Sequence, residues 1–281
     1  MDRLFQWLWD RHGPNYAWAL FVTCYLVPFP IYLFLAFAVV ASEHSDRYLA
    51  AAGGTSVAMA ILAFGIVLPG IGPLRTVERW AAGERVDPAT ALEATYVYSR
   101  GAIARGVAAC AICGAVSAIL AGLIAGAEGL RLLQYAILGA AVGAGTHMGG
   151  MHSVPETHMR PPRTAIAGQT GIGDSLPRTH PTFTSWLNVG VLGVVFAFSI
   201  AGGTLTGLFE QVSRTPVLLV VIGVALTILY GVPITVGSTF APSLQPIRDL
   251  AAATKRVAAG NYTERLPVVQ DDDLGALAAS F

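Results

Sequence analysis

Charge is what this chain has least of. Only 12% of its 281 residues are Asp, Glu, Lys or Arg, 54% are hydrophobic, and the formal net charge is zero. Such a composition excludes a disordered chain and an ordinary soluble domain. With no net positive charge, nothing points to nucleic acid as a partner. Cysteine is scarce as well: Cys24, Cys110 and Cys113 all lie inside apolar runs. Cys110 and Cys113 form a C-x-x-C, but within an apolar helix they read as small packing side chains rather than a redox pair. No zinc-ligand spacing, nucleophile elbow or paired-carboxylate site is present. The glycines at Gly168, Gly171 and Gly173 neither follow a strand nor end in Gly-Lys-Ser/Thr, so they do not form a phosphate cradle. The apolar runs also lack ionisable residues in their middles. Ion-coupled transporters and proton pumps need such charges on the path, so that class is disfavoured.

What the chain has is apolar length. Six runs, at 16–42, 49–71, 103–126, 132–147, 186–208 and 216–240, approach or exceed the roughly 20 residues that span a bilayer. The first is too long for a signal-peptide core and is interrupted by Pro28 and Pro30. Short links near 43–48, 127–131 and 209–215 alternate with long connections at 72–102 and 148–185. On the side of the long connections lie 14 Lys and Arg residues; on the other lie only Arg47, Arg131 and Arg214. The positive-inside rule therefore places both termini in the cytoplasm, with the protein multi-pass in the cell membrane. The expected fold is an all-α membrane protein of six transmembrane helices arranged as three hairpins. Residues 1–15 should form a cytoplasmic interfacial helix, carrying Leu4, Phe5, Trp7, Leu8 and Trp9. Residues 16–240 should form the transmembrane domain.

A weak internal repeat follows the inward-going runs. Pro73, Leu74 and Arg75 precede Ala82-Gly83; Pro162 and Arg163 precede Ala167-Gly168; Pro246, Ile247 and Arg248 precede Ala259-Gly260. Each hairpin is thus expected to end in a short amphipathic cytoplasmic helix. Gly122/Gly126, Gly139/Gly143, Gly145/Gly149 and Gly203/Gly207 have the G-x-x-x-G spacing of close helix contact. Pro28, Pro30, Pro69 and Pro233 mark kinks, and Pro233 is the candidate hinge because it lies in the run that leads to the C-terminal segment. His147, Met148, Met151, His152, His158 and Met159 crowd one end of the fourth run. Soft sulfur beside imidazole suits copper, yet interfacial packing explains the same residues, and no metal site is assigned.

The segment 241–281 has a different character. Ile247, Leu250, Thr254, Val257 and Asn261 recur at steps of three and four, the a/d seam of a parallel helix pair. Pro246 suits a helix start and Gly260 a helix end. Leu266, Pro267 and Val268 form an extended connector. Asp271, Asp272 and Asp273 open a second helix, in which Leu274, Leu277 and Phe281 resume the spacing. Neither helix can bury its seam alone, so a homodimeric four-helix bundle is expected.

This helix-connector-helix resembles a HAMP domain, the signal-relay module of bacterial membrane receptors. The matching residues are Pro246, Gly260, Leu266, Pro267, Val268 and the turn Asp272, Asp273, Leu274, Gly275; the family usually has Glu where Asp273 stands. Since the second helix is incomplete at Phe281, an output domain is expected beyond it. Taken with the six runs and the loop 161–186, the chain resembles the membrane-bound, HAMP-containing class III adenylyl cyclases of mycobacteria and related actinobacteria. That resemblance implies a downstream catalytic domain that makes cyclic AMP and pyrophosphate from ATP as a dimer, using magnesium or manganese. It assigns no catalytic residue and no cofactor to the present chain. Because the outer links are too short to fold as a ligand-binding domain, the stimulus is expected from the bilayer, as a lipid or fatty acid. Arg47, Arg131 and Arg214 are the candidate headgroup contacts. A histidine kinase or methyl-accepting receptor, or a purely structural anchor, are the alternatives.

Overall fold

The computed structural model describes residues 2–168, 172, 182–208, 216–232, 244–263, 266, 270 and 272–280. Among them every regular element is helical. The N-terminal helix α1 (Asp2–His12) turns through a 3-10 segment into α2 (Tyr16–Leu26). Pro28 and Pro30 break the first run there, and α3 (Phe29–Ser42) completes the crossing. Helix α4 (Tyr48–Val67) passes through a 3-10 turn at Pro69 into α5 (Ile71–Ala81). Helix α6 (Pro88–Ala125) is 38 residues long. Asp87 caps it, its side chain accepting from the Thr90 amide at 3.0 Å, and Gly126 ends it at φ +98°.

Helix α7 (Leu130–Gly150) lies between α6 and α9 (Phe183–Leu208), with α8 (Ser153–Ala167) folded beneath. Helix α10 (Pro216–Leu226) runs into a π-helical turn, Thr227–Gly231. The C-terminal helices are α11 (Gln245–Ala258) and α12 (Asp273–Ser280).

Among the described residues, four helical stretches are long and apolar enough to cross a membrane: Arg3–Ser42, Tyr48–Ala81, Pro88–Ala125 and Phe183–Gly203. The protein is therefore a multi-pass, all-helical membrane protein. The other two apolar runs fall in α7 and α10. Helix α7 is long enough but diluted by glycine, threonine and histidine, and it packs between α6 and α9. Of the second, the described apolar helix is only Val220–Gly231.

Three clusters of buried side chains stack along the bundle. At the end bearing the long connections, Trp9, Tyr16, Leu20, Leu74, Tyr98 and Met159 pack together. Tyr32, Met59, Leu62, Cys110 and Cys113 fill the middle, the two cysteines as free thiols. Val39, Val40, Ala118, Tyr135 and Leu138 close the other end. Close approach of α6 and α7 rests on glycine. A Cβ at Gly139 would collide with the Gly114 carbonyl, and one at Gly143 with that of Cys110. Gly145 meets Ala197 of α9 in the same way, whereas Gly203 has open space.

Both long connections are largely helical beyond the short amphipathic segments expected in them. The connection 72–102 is mostly helix, because α5 continues the second run and α6 begins four turns before the third. The connection 148–185 contains α8, whose residues from Ser153 to Pro155 and from Glu156 to Met159 are nearly all buried against α1 and α6. The N-terminal helix is likewise more than interfacial. Phe5 and Trp9 point into the protein, Phe5 packing on the His158 ring at 4.4 Å, while Leu4 and Trp7 stay exposed. The expected amphipathic helices after the second, fourth and sixth runs are present as α5, α8 and α11. Gly83, Gly168 and Gly260 follow them, each with positive φ (79°, 52° and 81°).

Candidate signal-relay site

The C-terminal helices carry the local signals of their sequence. Pro246 occupies the first turn of α11, where its missing amide has no intrahelical partner to lose. At the far end the Asn261 amide donates to the Arg256 carbonyl at 3.0 Å, with Gly260 in the left-handed region between. Asp272 caps α12: its Oδ1 accepts from the Gly275 amide at 3.0 Å. Gly275 is needed for contact, since a Cβ there would run into the Gln270 carbonyl. Pro246, Leu266 and Leu274 face a shared groove between the two helices and their connector.

Residues of the two C-terminal helices and their connector divide by exposure. Pro246 and Ala253 are buried, Leu250, Leu266 and Leu274 half-buried, and Ile247, Val257 and Leu277 exposed at 44%, 37% and 52%. The face through Ile247 and Val257 is thus uncovered within one chain. Val268, Pro267, the candidate hinge Pro233 and the candidate headgroup contact Arg214 lie outside the described residues.

Both helices are tied to the membrane bundle by polar contacts. Arg160 on α8 forms an ion pair with Asp249 on α11, and Gln245 Nε2 donates to the other carboxylate oxygen at 3.1 Å. His152 Nε2 lies 3.2 Å from Asp272, the capping carboxylate of α12. The indole of Trp186, near the start of α9, stacks on the His152 ring at 5.0 Å with planes 4° apart. The Phe183 amide, also at the start of α9, donates to Asp273 at 2.7 Å. These contacts join α8 and the start of α9 to the first turns of both C-terminal helices. Sequence reasoning did not assign this role to Arg160, Asp249, His152 or Trp186; pairs 89 and 120 residues apart leave no local pattern.

The six His and Met residues between His147 and Met159 are divided among the end of α7, the turn after it and α8. His147 contacts α6 at Gly106, His152 pairs with Asp272, and His158 packs on Phe5. Among the described residues no group of three His, Cys, Asp or Glu side chains converges on a metal position.

At the opposite end, Arg131 pairs with Glu43 at 2.7 Å, and Tyr135 also donates to that carboxylate. Burial raises the Glu43 pKa, but the hydrogen bonds from Tyr135 and Arg131 and the guanidinium charge outweigh it and hold the carboxyl below its ordinary value. Arg47 donates to the Ile124 carbonyl at 2.9 Å. Arg131 is therefore already matched by an internal anion, whereas Arg47 meets a neutral acceptor.

Residues 241–281 match the HAMP domain family. No curated protein and no solved structure matches the chain. Apolar helices followed by a HAMP domain define a membrane signalling region.

Proposed function

We propose that this chain is the membrane anchor, dimerisation and sensory region of a class III adenylyl cyclase, relaying its state through the HAMP domain to a catalytic domain that turns ATP into cyclic AMP and pyrophosphate. The observation that carries the relay is the docking of both HAMP helices on α8 and the start of α9, through Arg160–Asp249 and His152–Asp272. In this reading all six apolar runs cross the cell membrane and both termini are cytoplasmic, as the distribution of Lys and Arg supports. The protein works as a homodimer, the exposed Ile247 and Val257 meeting their equivalents. Magnesium or manganese belongs to the catalytic domain. The relay residues are Pro246, Ile247, Leu250, Val257, Gly260, Leu266, Val268, Asp273, Leu274, Gly275 and Leu277, with Pro233 as hinge.

The stimulus is a bilayer lipid or fatty acid. Arg47, Arg131 and Arg214 meet its headgroup, and for Arg131 the headgroup competes with Glu43.

The test is cyclic AMP formation from ATP by membranes carrying the full-length protein, with magnesium or manganese supplied. Cysteines at 247, 250 and 257 should give disulfide-linked dimers, and alanine at the three arginines should blunt the lipid response. Absence of cyclic AMP synthesis removes the cyclase assignment; absence of every cross-link removes the parallel bundle.

A further inference from the structure

Helix α10 stands off from the rest of the bundle, and the gap is a cavity of about 260 Å³ enclosed by α3, α7, α9 and α10. On the α10 side its wall is Gly223 and Leu226 of α10 with Thr227 and Tyr230 of the π-helical turn that continues it. The opposite wall includes Leu138 and Val142 of α7, with Phe198 and Ala201 of α9 beside them. No lining residue is ionisable except Tyr230, so the cavity offers no counter-charge for a carboxylate or phosphate. Its volume falls below the roughly 300 Å³ at which drug-sized pockets begin, which suits a narrow chain rather than a ring system.

Access is from the side. Phe34 of α3 lines the cavity and is 37% exposed, and its ring stands 5.2 Å from that of Tyr230, so these two bridge the gap between α3 and α10. Beyond them α10 presents Val217, Val220, Val221 and Val224 to the surroundings, all more than half exposed. In a bilayer those surroundings are acyl chains. A dry carbon-lined gap at that depth is filled by what lies next to it, because leaving it empty forfeits dispersion contacts on every wall.

We propose that the cavity is an acyl-chain site, taken by one hydrocarbon tail of a bilayer lipid that enters between Phe34 and Tyr230 while its headgroup stays outside. The π-helical turn Thr227–Gly231 begins in the cavity wall, and such turns concentrate at functional positions. The chain that follows it leads to the HAMP domain, so occupancy biases the position of α10. This coupling rests on the relay reading above; occupancy of the cavity does not.

The experiment places the full-length protein in nanodiscs of phosphatidylcholine bearing a diazirine near the end of one acyl chain, irradiates it and maps adducts by mass spectrometry. Leu138 is the reporter, because it is 1% exposed and lines the cavity. Label on Leu138 that disappears in Ala201→Phe, while the exposed Leu192 stays labelled, is the expected result. Ala38→Leu narrows the same space from α3 and serves if the larger substitution does not fold. An unlabelled Leu138, or label indifferent to both substitutions, overturns the site. Label obtained only from an added diazirine-bearing long-chain alcohol, and never from the phospholipid, overturns the bilayer-lipid occupant. Failure of the relay reading shows separately, as missing disulfides at 247, 250 and 257.

Discussion

The Tyr16 hydroxyl donates a 2.8 Å hydrogen bond to the His158 carbonyl, the acceptor that Pro162, four residues on, has no amide to reach. A proline inside a helix leaves the carbonyl one turn back unpaired. Here a side chain from α2, 142 residues earlier, satisfies it. Tyr16 is fully buried, so Tyr16→Phe keeps the ring packing and orphans the carbonyl. The expected cost is about 1–3 kcal/mol, read as a lower melting temperature in detergent. No loss would mean that water reaches the carbonyl.

Arg163 is the second polar anchor of α8. It has no exposed surface, pairs with Glu156, donates to Thr95 Oγ1 at 2.9 Å and to Ser99 Oγ at 2.7 Å, and lies 4.0 Å over the Tyr96 ring. Removing one member of a buried ion pair leaves the other uncompensated. Either Arg163→Met or Glu156→Gln should therefore destabilise by about 3–5 kcal/mol. Because the guanidinium fork donates to Thr95, Ser99 and Glu156 at once, Arg163→Lys should not restore stability. The double variant should cost less than the sum of the singles, which thermal melts of all four proteins would measure.

These anchors explain what could be read from the sequence and what could not. Apolar length revealed the membrane helices, and local chemistry revealed the caps: Pro246, Gly260 and the Asp272 turn depend on neighbours within four residues. Helix α8 was legible only as a short amphipathic helix ending at Gly168; its length and its burial were not. The string from Ser153 to Ala167 holds three prolines and several charges, which locally signal a loop. It becomes a buried helix only because Tyr16, Thr95 and Ser99 supply the partners its backbone and Arg163 need. The contact of α8 with the HAMP helices was hidden for the same reason, since Arg160 and Asp249 belong to different periodic patterns. Glycine spacing gave a mixed signal. Gly139 and Gly143 do mediate a helix contact, Gly203 does not, and spacing alone cannot say which face meets a neighbour.

Those glycines allow a matched test. A Cβ at Gly139 would strike the Gly114 carbonyl and also approach the Ala118 Cβ at 2.9 Å, whereas one at Gly53 on α4 meets nothing within 4 Å. Gly139→Ala should push α6 and α7 apart at a cost of about 1–3 kcal/mol. Gly53→Ala should be neutral or stabilise by up to about 1 kcal/mol through helix propensity. Equal melting temperatures for the two variants would contradict the tight α6–α7 contact.

His158 links stability to pH. Burial first, and the neighbouring His147 second, together lower its imidazole from the ordinary 6.5 to about 3. Its ring packs against Phe5. Between those two values the unfolded chain binds a proton that the folded chain refuses, so stability is full above about pH 6.5 and falls as the pH drops toward 3. At pH 5.5, one unit below the ordinary value, the loss from this residue is about 1.4 kcal/mol. His158→Phe should remove that share of the acid sensitivity. Melting curves at pH 7.5 and 5.5 for both proteins decide it.

Asp272 holds two jobs that substitutions can separate. One oxygen caps α12 through the Gly275 amide; the other faces His152, which is itself held flat against Trp186. Asp272→Asn keeps a capping oxygen but loses the charge. Asp272→Ala loses both, and for the cap alone the cost is about 1 kcal/mol. His152→Ala leaves the cap intact and removes the ring between Trp186 and the carboxylate. Amide hydrogen exchange over 273–280 should therefore speed up most in Asp272→Ala and measurably in His152→Ala. If His152→Ala left that exchange unchanged while Asp272→Ala raised it, the cap would be the whole contribution, and the bundle would not hold the second HAMP helix through this contact.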